Sequence, residues 1–380
     1  MSAEKKKIVK RSKTNSVMEL VASRLGVTPQ ELEREVSGKC KNVLNIAGLD
    51  KAVDLFWSMI DSPVYVYCDY DCDGITSGSI ISIGCNSIGI KPHIIIPRRF
   101  TDGYGIKIKN LENMDPSGLL ITVDNGIAAN EAVDAAKEKG MKVIILDHHE
   151  ARILNGEQFL PEADVVIDPH ITEADFEDYC GAGLAYRFMR EVFAKKRRPA
   201  DLNGIMSSMI ALAAVGTIGD SVTMKAENRF LVRRGMEQIE QRRVSTGLAL
   251  LLEEMELSDT LSVEDIAYSL VPAINAFGRL EDEGSRKVAA LLSYNGRKSD
   301  GAKNAAQIVK QMNDERKTYC KELTELAEKM VEETGQMNNS VLVLQDNRFL
   351  KGICGIIAGN LTEKYKVPSI VFGAPENGIC

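Results

Sequence analysis

From residue 62 onward the chain alternates short β-branched runs with helix-like segments, and this alternation limits the fold more than any other feature. The runs are Val64–Tyr67, His93–Pro97, Leu119–Val123, Lys142–Leu146 and Asp164–Ile167, with helical patterns at Ile75–Ile88 and Asn130–Lys139. Strand and helix recurring about every 25 residues predict βαβ units and a mostly parallel sheet. The runs are nearly all apolar, as strands must be when helices cover both faces. Ligands of such open sheets bind outside the carboxyl ends of the strands. The residues that follow each run therefore carry the functional expectation.

Four of the runs end in acidic or histidine residues. Cys68-Asp69-Tyr70-Asp71-Cys72-Asp73-Gly74 follows the first and Asp124-Asn125-Gly126 the third. Asp147-His148-His149-Glu150 follows the fourth and Asp168-Pro169-His170 the fifth. The chain has four histidines, and three of them fall in this set. Carboxylates gathered at one sheet edge repel one another, so divalent cations are the expected reason for gathering them; a network of caps and turns is the plainer one. Each motif also has its own plainer reading. Asp-x-Asp-x-Asp-Gly opens like a calcium loop, but its twelfth position is Ile80 and a strand precedes it. Asp69-x-Asp71 also fits an aspartyl-phosphate nucleophile, Asp124-Asn125-Gly126 an ordinary turn, and Asp168-Pro169 a strand end. Adjacent histidines after a buried strand have no packing use. A carboxylate-rich set with imidazole and no thiolate favours Mn²⁺ or Mg²⁺ over zinc. Several carboxylates suit two ions about 3.5–4 Å apart, activating a water for in-line attack on phosphorus. The residues by themselves predict a two-metal phosphoesterase.

Composition narrows the classes. At about 150 residues per domain, 380 residues predict two or three domains. Values of 44% hydrophobic and 27% charged exclude a disordered chain, collagen or a coiled-coil rod. The longest uncharged stretches, 74–90 and 203–219, are interrupted by Ser, Thr, Asn and Gly and fall short of the ~20 apolar residues of a span. No membrane partner is expected. The basic N-terminus has no apolar signal core behind it, and the eight cysteines include no C-x-x-C pair. A reducing cytoplasm is the expected location. The net charge of −7 argues against a whole-surface positive field, so nucleic-acid binding must rest on metals or local clusters. Such clusters are Arg98-Arg99 with Lys107 and Lys109, then Lys195–Arg198, Arg229 with Arg233-Arg234, and Arg242-Arg243. Solvated surface is their plainer meaning; a strand groove with Phe100, Tyr104 and Phe277 as stackers is the functional one.

The expected organisation has four parts. Residues 1–61 form a basic tail and short helices, and 62–300 an α/β catalytic domain whose part after residue 180 is helical. Residues 301–335 form a long connecting helix, with Ala305, Ile308, Met312, Tyr319, Leu323, Leu326 and Met330 as its apolar seam. Residues 336–380 form a small α/β unit with strands at Val341–Leu344 and Ser369–Phe372.

The motifs resemble a known family. Asp69-Tyr70-Asp71-Cys72-Asp73-Gly74, Thr122-Val123-Asp124-Asn125-Gly126-Ile127 and Asp147-His148-His149-Glu150 resemble the first three motifs of the DHH phosphoesterase superfamily. Cys180-Gly181-Ala182-Gly183-Leu184-Ala185, Ala214–Asp220 and Ile274-Asn275-Ala276-Phe277-Gly278-Arg279-Leu280 are similar to segments of its RecJ-like branch. The resemblance covers roughly residues 50–375 and implies a parallel-sheet DHH domain, a helical extension and a DHHA1-like substrate-binding domain. That last domain is expected to be partial, since Cys380 falls where its glycine-rich loop belongs. It further implies that Asp69 and Asp124 hold one ion, and that Asp71, Asp124, His148 and Asp220 hold the other. His149 would contact the scissile phosphate, Arg279 and Asn275 would bind substrate, and Gly74 would let backbone approach a phosphate. Asp73 and Asp147 would act behind the ligands; Asp168 and His170 are left without a role. The implied activity is exonucleolytic hydrolysis of single-stranded DNA, 5′-to-3′, to 5′-mononucleotides, alongside replication or repair proteins. RNA, short oligonucleotides or cyclic dinucleotides are alternative substrates, and a catalytically silent replication scaffold is the alternative of another class.

Overall fold

Strands β1 (Val64–Cys68), β2 (His93–Ile95), β3 (Leu119–Val123), β4 (Lys142–Leu146) and, after a small hairpin, β7 (Val165–Ile167) form one parallel sheet in the order β2-β1-β3-β4-β7. The computed structural model describes residues 16–36, 44–257 and 260–373; the predicted basic tail and the residues up to Cys380 lie outside these. Side chains alternate along each strand between two cores. Val66, Cys68, Ile121, Val123, Ile144 and Leu146 enter one, while Tyr67, Leu120, Val143 and Ile145 enter the other. Both faces are covered, which is why the runs are continuously apolar.

The first face is packed by α3 (Leu49–Ser58), α4 (Cys72–Ser87), α6 (Gly181–Lys195) and α7 (Leu202–Gly219). Short α1 (Val17–Leu25) and α2 (Pro29–Val36) precede them in the chain. The second face is covered by α5 (Asn130–Glu138) and a 3₁₀ turn at Ile108–Leu111. α4 is buried along Cys72–Cys85, so it is a central helix of small residues rather than an amphipathic one. α7 is the one helix, among the described residues, long and apolar enough to cross a membrane. It lies against α4, α6 and α8 (Ala226–Glu240) as a core helix.

Strand order reverses between β1 and β3. Chains leaving these neighbours diverge, which opens a crevice at their carboxyl ends. Cys68 pairs with Val123 at the last register position, so Asp69 and Asp124 are the next residues on either side of that crevice.

The remaining helices are α9 (Thr246–Glu254), α10 (Val263–Asp265), α11 (Val271–Leu280) and α12 (Gly284–Leu292). Two of the helix starts are capped by side chains: Asp201 Oδ1 accepts from Gly204 N at 3.0 Å, and Ser245 Oγ from Leu248 N at 3.2 Å. One π turn, Ile266–Leu270, joins α10 to α11 just ahead of Pro272, which has no N–H to continue a regular ladder. α13 (Asp300–Glu333) then leads to β8 (Leu342–Gln345), α14 (Cys354–Tyr365) and β9 (Ser369–Phe372), with β8 and β9 parallel.

Two details differ from the sequence reading. The buried stripe of α13 is Ala306, Val309, Asn313, Cys320, Ala327 and Val331, whereas Ile308 and Tyr319 of the expected seam are exposed. Small residues and one bonded Asn form the contact, and the large apolar side chains flank it. The hairpin β5 (Arg152–Leu154) and β6 (Glu157–Phe159) was not expected. Its turn, Asn155-Gly156, has φ of 53° and 88°, the Asn-Gly signature of a type I′ hairpin.

A buried ion pair ties three segments together. Arg187 Nη1 lies 2.6 Å from Glu227, Tyr179 Oη donates to the same carboxylate at 2.5 Å, and Arg187 Nη2 donates to Leu44 O at 2.6 Å. Removing one partner strands the other charge in the core. Arg187→Met is expected to lower unfolding free energy by about 3–5 kcal/mol, measured by urea denaturation; a loss below about 1 kcal/mol would show that water reaches Glu227.

Candidate metal centre

β1 hands its chain to Asp69, whose Oδ1 accepts from Tyr70 N at 2.8 Å. Asp71 caps α4, its Oδ1 accepting from Asp73 N at 3.0 Å and Gly74 N at 3.2 Å. Asp73, one turn in, accepts from Gly181 N at 2.6 Å and Ala182 N at 2.8 Å. It thus sits on the N-terminus of α6, where the helix dipole favours an anion. Gly74 has a task in the fold itself. A Cβ there would stand 2.4 Å from Asp69 O, and its N–H is given to Asp71. Gly74 therefore serves the strand-to-helix turn. Gly181 works likewise, since a Cβ there would meet Asp124 Cβ at 2.6 Å.

Asp124 follows β3 with φ of 58°, a left-handed conformation that Asp tolerates better than most residues. It is buried, and His148 Nε2 lies 3.0 Å from its Oδ1. The same imidazole nitrogen is 3.7 Å from Asp73 Oδ2 and 3.8 Å from Asp220 Oδ2. Asp220 is the C-cap of α7, the end of a helix at which a carboxylate is disfavoured. Three sets of ligand atoms each lie within 4.8 Å of one another: Asp69 with Asp71 and Asp124, Asp73 with His148 and Asp220, and Asp124 with His148 and His149. The resemblance assigns Asp71 to the ion of His148 and Asp220; here its oxygens group with Asp69 and Asp124. The sequence reading left Asp73 out of the ligand set, although the structure puts it beside His148.

Electrostatics follow from crowding. Burial and the Asp71 charge push the Asp69 carboxyl up to about 7. Burial with Asp73 and Asp71 does the same to Asp220, also to about 7. Asp124 is raised well above the carboxylate range by burial, then by Asp73, Asp71 and Asp69. Burial holds the His148 imidazole below its usual value, hence neutral with a free lone pair at neutral pH. His149 is the opposite case. Its Nδ1 lies 2.7 Å from Asp147 Oδ1, and that hydrogen bond raises it to about 9. Burial works to raise Asp147, but hydrogen bonds from His149 and from Ile127 and His148 N–H hold it low. One acidic, neutral-imidazole pocket therefore adjoins one imidazolium. Buried carboxylates that cannot all ionise, facing a neutral imidazole, fit divalent cations.

Arg279 lies half-buried on α11, its Nη1 donating to Gly352 O at 3.2 Å. Burial and the neighbouring Arg99 and Arg316 depress its pKa. Arg99 stacks its guanidinium 4.1 Å above the Tyr70 ring, and its Nε is buried without a partner. Asn275 Oδ1, one turn before Arg279, is also buried without a partner. Arg98 and Lys109 both pair with Asp102, at 3.0 and 2.8 Å, so their charge is spent. Phe277 is 2% exposed and belongs to the core, which removes it from the stackers. Asp168 ends β7 with Oδ1 accepting from His170 N at 3.0 Å and belongs to none of the three sets; His170 is exposed.

Residues 63–217 match the DHH family, N-terminal domain. The single-stranded-DNA-specific exonuclease RecJ of Escherichia coli (strain K12) is 30% identical over 378 residues, covering 94% of this chain and 63% of the relative. That of Bacillus subtilis (strain 168) is 30% identical over 339 residues, covering 87% and 40%. The chain thus spans less than two thirds of the length of either relative. A crystal structure of exonuclease RecJ bound to manganese superposes with a TM-score of 0.74 at 26% identity, covering 88% of this chain and 82% of that one. Residues 63–217 are accordingly a DHH family domain, and the chain that carries them is a homologue of the RecJ single-stranded-DNA-specific exonucleases.

Proposed function

We propose that this chain is a metal-dependent exonuclease that hydrolyses single-stranded DNA, 5′-to-3′, to 5′-mononucleotides. The observation that carries the reading is Asp124, shared between an all-carboxylate set and a set containing His148, beside the His149 imidazolium. The similarity to single-stranded-DNA-specific exonucleases supports the substrate class. The reading includes a cytoplasmic location and replication or repair proteins as partners.

Asp69, Asp71, Asp124, His148 and Asp220 would hold two Mn²⁺ or Mg²⁺ ions. Bound there, such ions supply charge for the phosphoryl oxygens and make water a nucleophile near neutral pH. The chain's own groups do the rest. His149, protonated at neutral pH, donates from Nε2 to a non-bridging oxygen of the scissile phosphate. Asp147 accepts from Nδ1–H, which fixes that ring's orientation and stabilises its charge. Arg279 adds a guanidinium for the diester charge. Water's oxygen bonds to phosphorus, the bond to O3′ breaks, and the next nucleotide keeps a 5′-phosphate.

The test uses a long single strand with a 5′-phosphate and a 3′ label, incubated with Mn²⁺. Wild type is expected to give a shrinking ladder, and Asp124→Asn to slow it at least about 100-fold. An intact long strand alongside cleaved di- and trinucleotides would make this a small-substrate phosphoesterase instead.

Stability offers an independent check. Carboxyls at about 7 in the fold and about 3.9 in the unfolded chain bind extra protons in the folded state between those values. Their stabilising contribution is complete below about 4 and lost as pH rises through about 7. Metal-free Asp124→Asn is therefore expected to melt above metal-free wild type at pH 8, and to lose most of the Mn²⁺-induced rise in Tm. An unaltered Mn²⁺ response would remove Asp124 from the ligand set.

His149 sets the alkaline limb. Its raised pKa means activity falls as pH climbs past about 9. Asp147→Asn deletes the hydrogen bond that raises it, so the limb of the kcat profile is expected to move to lower pH. A limb that stays in place would assign it to another group.

A further inference from the structure

The chain after β2 closes into a tight turn. Asp102 N donates to Arg98 O at 2.8 Å and Arg98 N donates to Asp102 Oδ2 at 3.0 Å. The same carboxylate also holds the Arg98 guanidinium and Lys109. Arg99 leaves this turn toward the metal cluster, with its guanidinium 4.1 Å above the Tyr70 ring. From there its charge acts on Asp69, Asp71 and Arg279. Together with Arg279 and Arg316 it makes one side of the cluster cationic. A guanidinium with a free donor is drawn onto nearby buried carboxylates, and the Nε of Arg99 has no partner. The side chain nevertheless stays on the ring.

One corner of the helical region accounts for that placement. α11 ends at Leu280 and α12 begins at Gly284. Between them, Asp282 accepts from Phe100 N at 2.8 Å and from the Thr101 hydroxyl. Three residues on, Ser285 Oγ donates to Tyr70 O at 2.7 Å. The residue next to Arg99 and the residue beneath its guanidinium are thus tied to the same corner. That corner has no slack: a Cβ at Gly278 would collide with Ser285 Oγ, and one at Gly284 with the Phe277 carbonyl. Arg279 is carried by the last turn of α11. The spacing of Arg99 and Arg279 is therefore set where Asp282 fastens the 98–102 turn. Asp282 itself belongs to none of the three ligand sets.

We infer that Asp282 is a positioning residue for strand binding: it docks the 98–102 turn so that Arg99 stays on Tyr70 beside Arg279, free to meet phosphodiester charge, instead of folding onto Asp69 and Asp71. The inference rests on the nuclease reading and deepens it. Geometry, not charge, is what Asp282 contributes. It offers two acceptor oxygens at a fixed spacing, while its negative charge by itself would weaken a cationic flank. A displacement of about 1 Å at such a contact is enough to cost roughly 100-fold.

The test takes the full chain and measures Kd for a fluorescein-labelled single strand by anisotropy in metal-free buffer, then KM and kcat with Mn²⁺. Asp282→Ala is expected to raise Kd and KM at least about ten-fold, with kcat within about three-fold of wild type. Asp282→Asn keeps an acceptor for Phe100 N and can give an amide N–H to the Thr101 oxygen, so it should return Kd to within about two-fold. Arg99→Ala should weaken binding to a similar degree, and the double variant Arg99→Ala with Asp282→Ala no further, because residues that act as a unit are not additive. Thermal midpoints report that each variant keeps the fold. Wild-type Kd in Asp282→Ala overturns the positioning role even where wild type degrades DNA, and so do losses that multiply in the double variant. Asp282→Asn as weak as Asp282→Ala overturns it too, since charge would then be the contribution. A wild type that binds the strand and degrades none, with the same pattern across the variants, keeps the positioning role and removes the nuclease reading. No strand bound and none degraded overturns both.

Discussion

Mutual repulsion among buried carboxylates is the constraint around which the rest of this structure is arranged. Asp69, Asp71, Asp73, Asp124 and Asp220 converge on the crevice between β1 and β3, with Asp147 behind them. Some of that charge is met by the chain itself. Asp71 takes two N–H groups at the start of α4 and Asp73 two at the start of α6, both at positive helix ends. Asp147 is met by three N–H groups and the His149 ring. Asp69 has one N–H, Asp124 has His148, and Asp220 stands at the negative end of α7. The uncompensated charge is concentrated on these three residues, and a cation would be drawn to them.

Holding the cluster together requires the surrounding backbone to come very close. α4 starts against the Asp69 carbonyl and α6 starts against Asp124, and at both points only a missing side chain leaves room. Ser285 Oγ donates to Tyr70 O at 2.7 Å, fixing the strand-to-helix loop from a helix more than two hundred residues later. The apolar burial of α4 and α7 supplies the favourable free energy against which the repulsion is set.

The sheet and the acidic edge were legible because each depends on local pattern. Continuous apolar runs mark doubly covered strands, and parallel topology then puts Asp69, Asp124 and Asp147 at one edge. The N-cap role of Asp71 had an equally local signal that went unread, because the helical run was expected from Ile75 and α4 starts at Cys72. Asp73 was harder to read. Its partners, Gly181 and Ala182, lie more than a hundred residues away, and only the packing of α6 on α4 brings them near. The stripe on α13 was legible in part: Ala305, Met312, Leu323, Leu326 and Met330 pack against the cores, but burial is deepest at Ala306, Ala327 and Cys320, which fit by smallness, whereas pattern reading weights size. The Asn155-Gly156 hairpin has a plain turn signal, but its three-residue strands are exposed and carry no long apolar run. Phe277 shows the limit of composition: an aromatic beside Arg279 in sequence points inward, because successive helix positions face different ways.

The arginine flank joins the five-stranded sheet to the C-terminal unit. Arg279 gives a hydrogen bond to Gly352 O, and a Cβ at Gly352 would meet the Arg279 carbonyl at 2.1 Å. Arg316 stands on α13, the helix whose Cys320, Ala327 and Val331 also form the core under β8 and α14. The wall that faces Asp71 is therefore built partly on the same helix that carries the β8–β9 unit. Any displacement of that unit would be felt at Arg279 through one hydrogen bond and one close backbone contact. His149 and Asp147, by contrast, belong to the loop that follows β4. The cationic flank is thus coupled to the C-terminal unit, while His149 is held by the sheet.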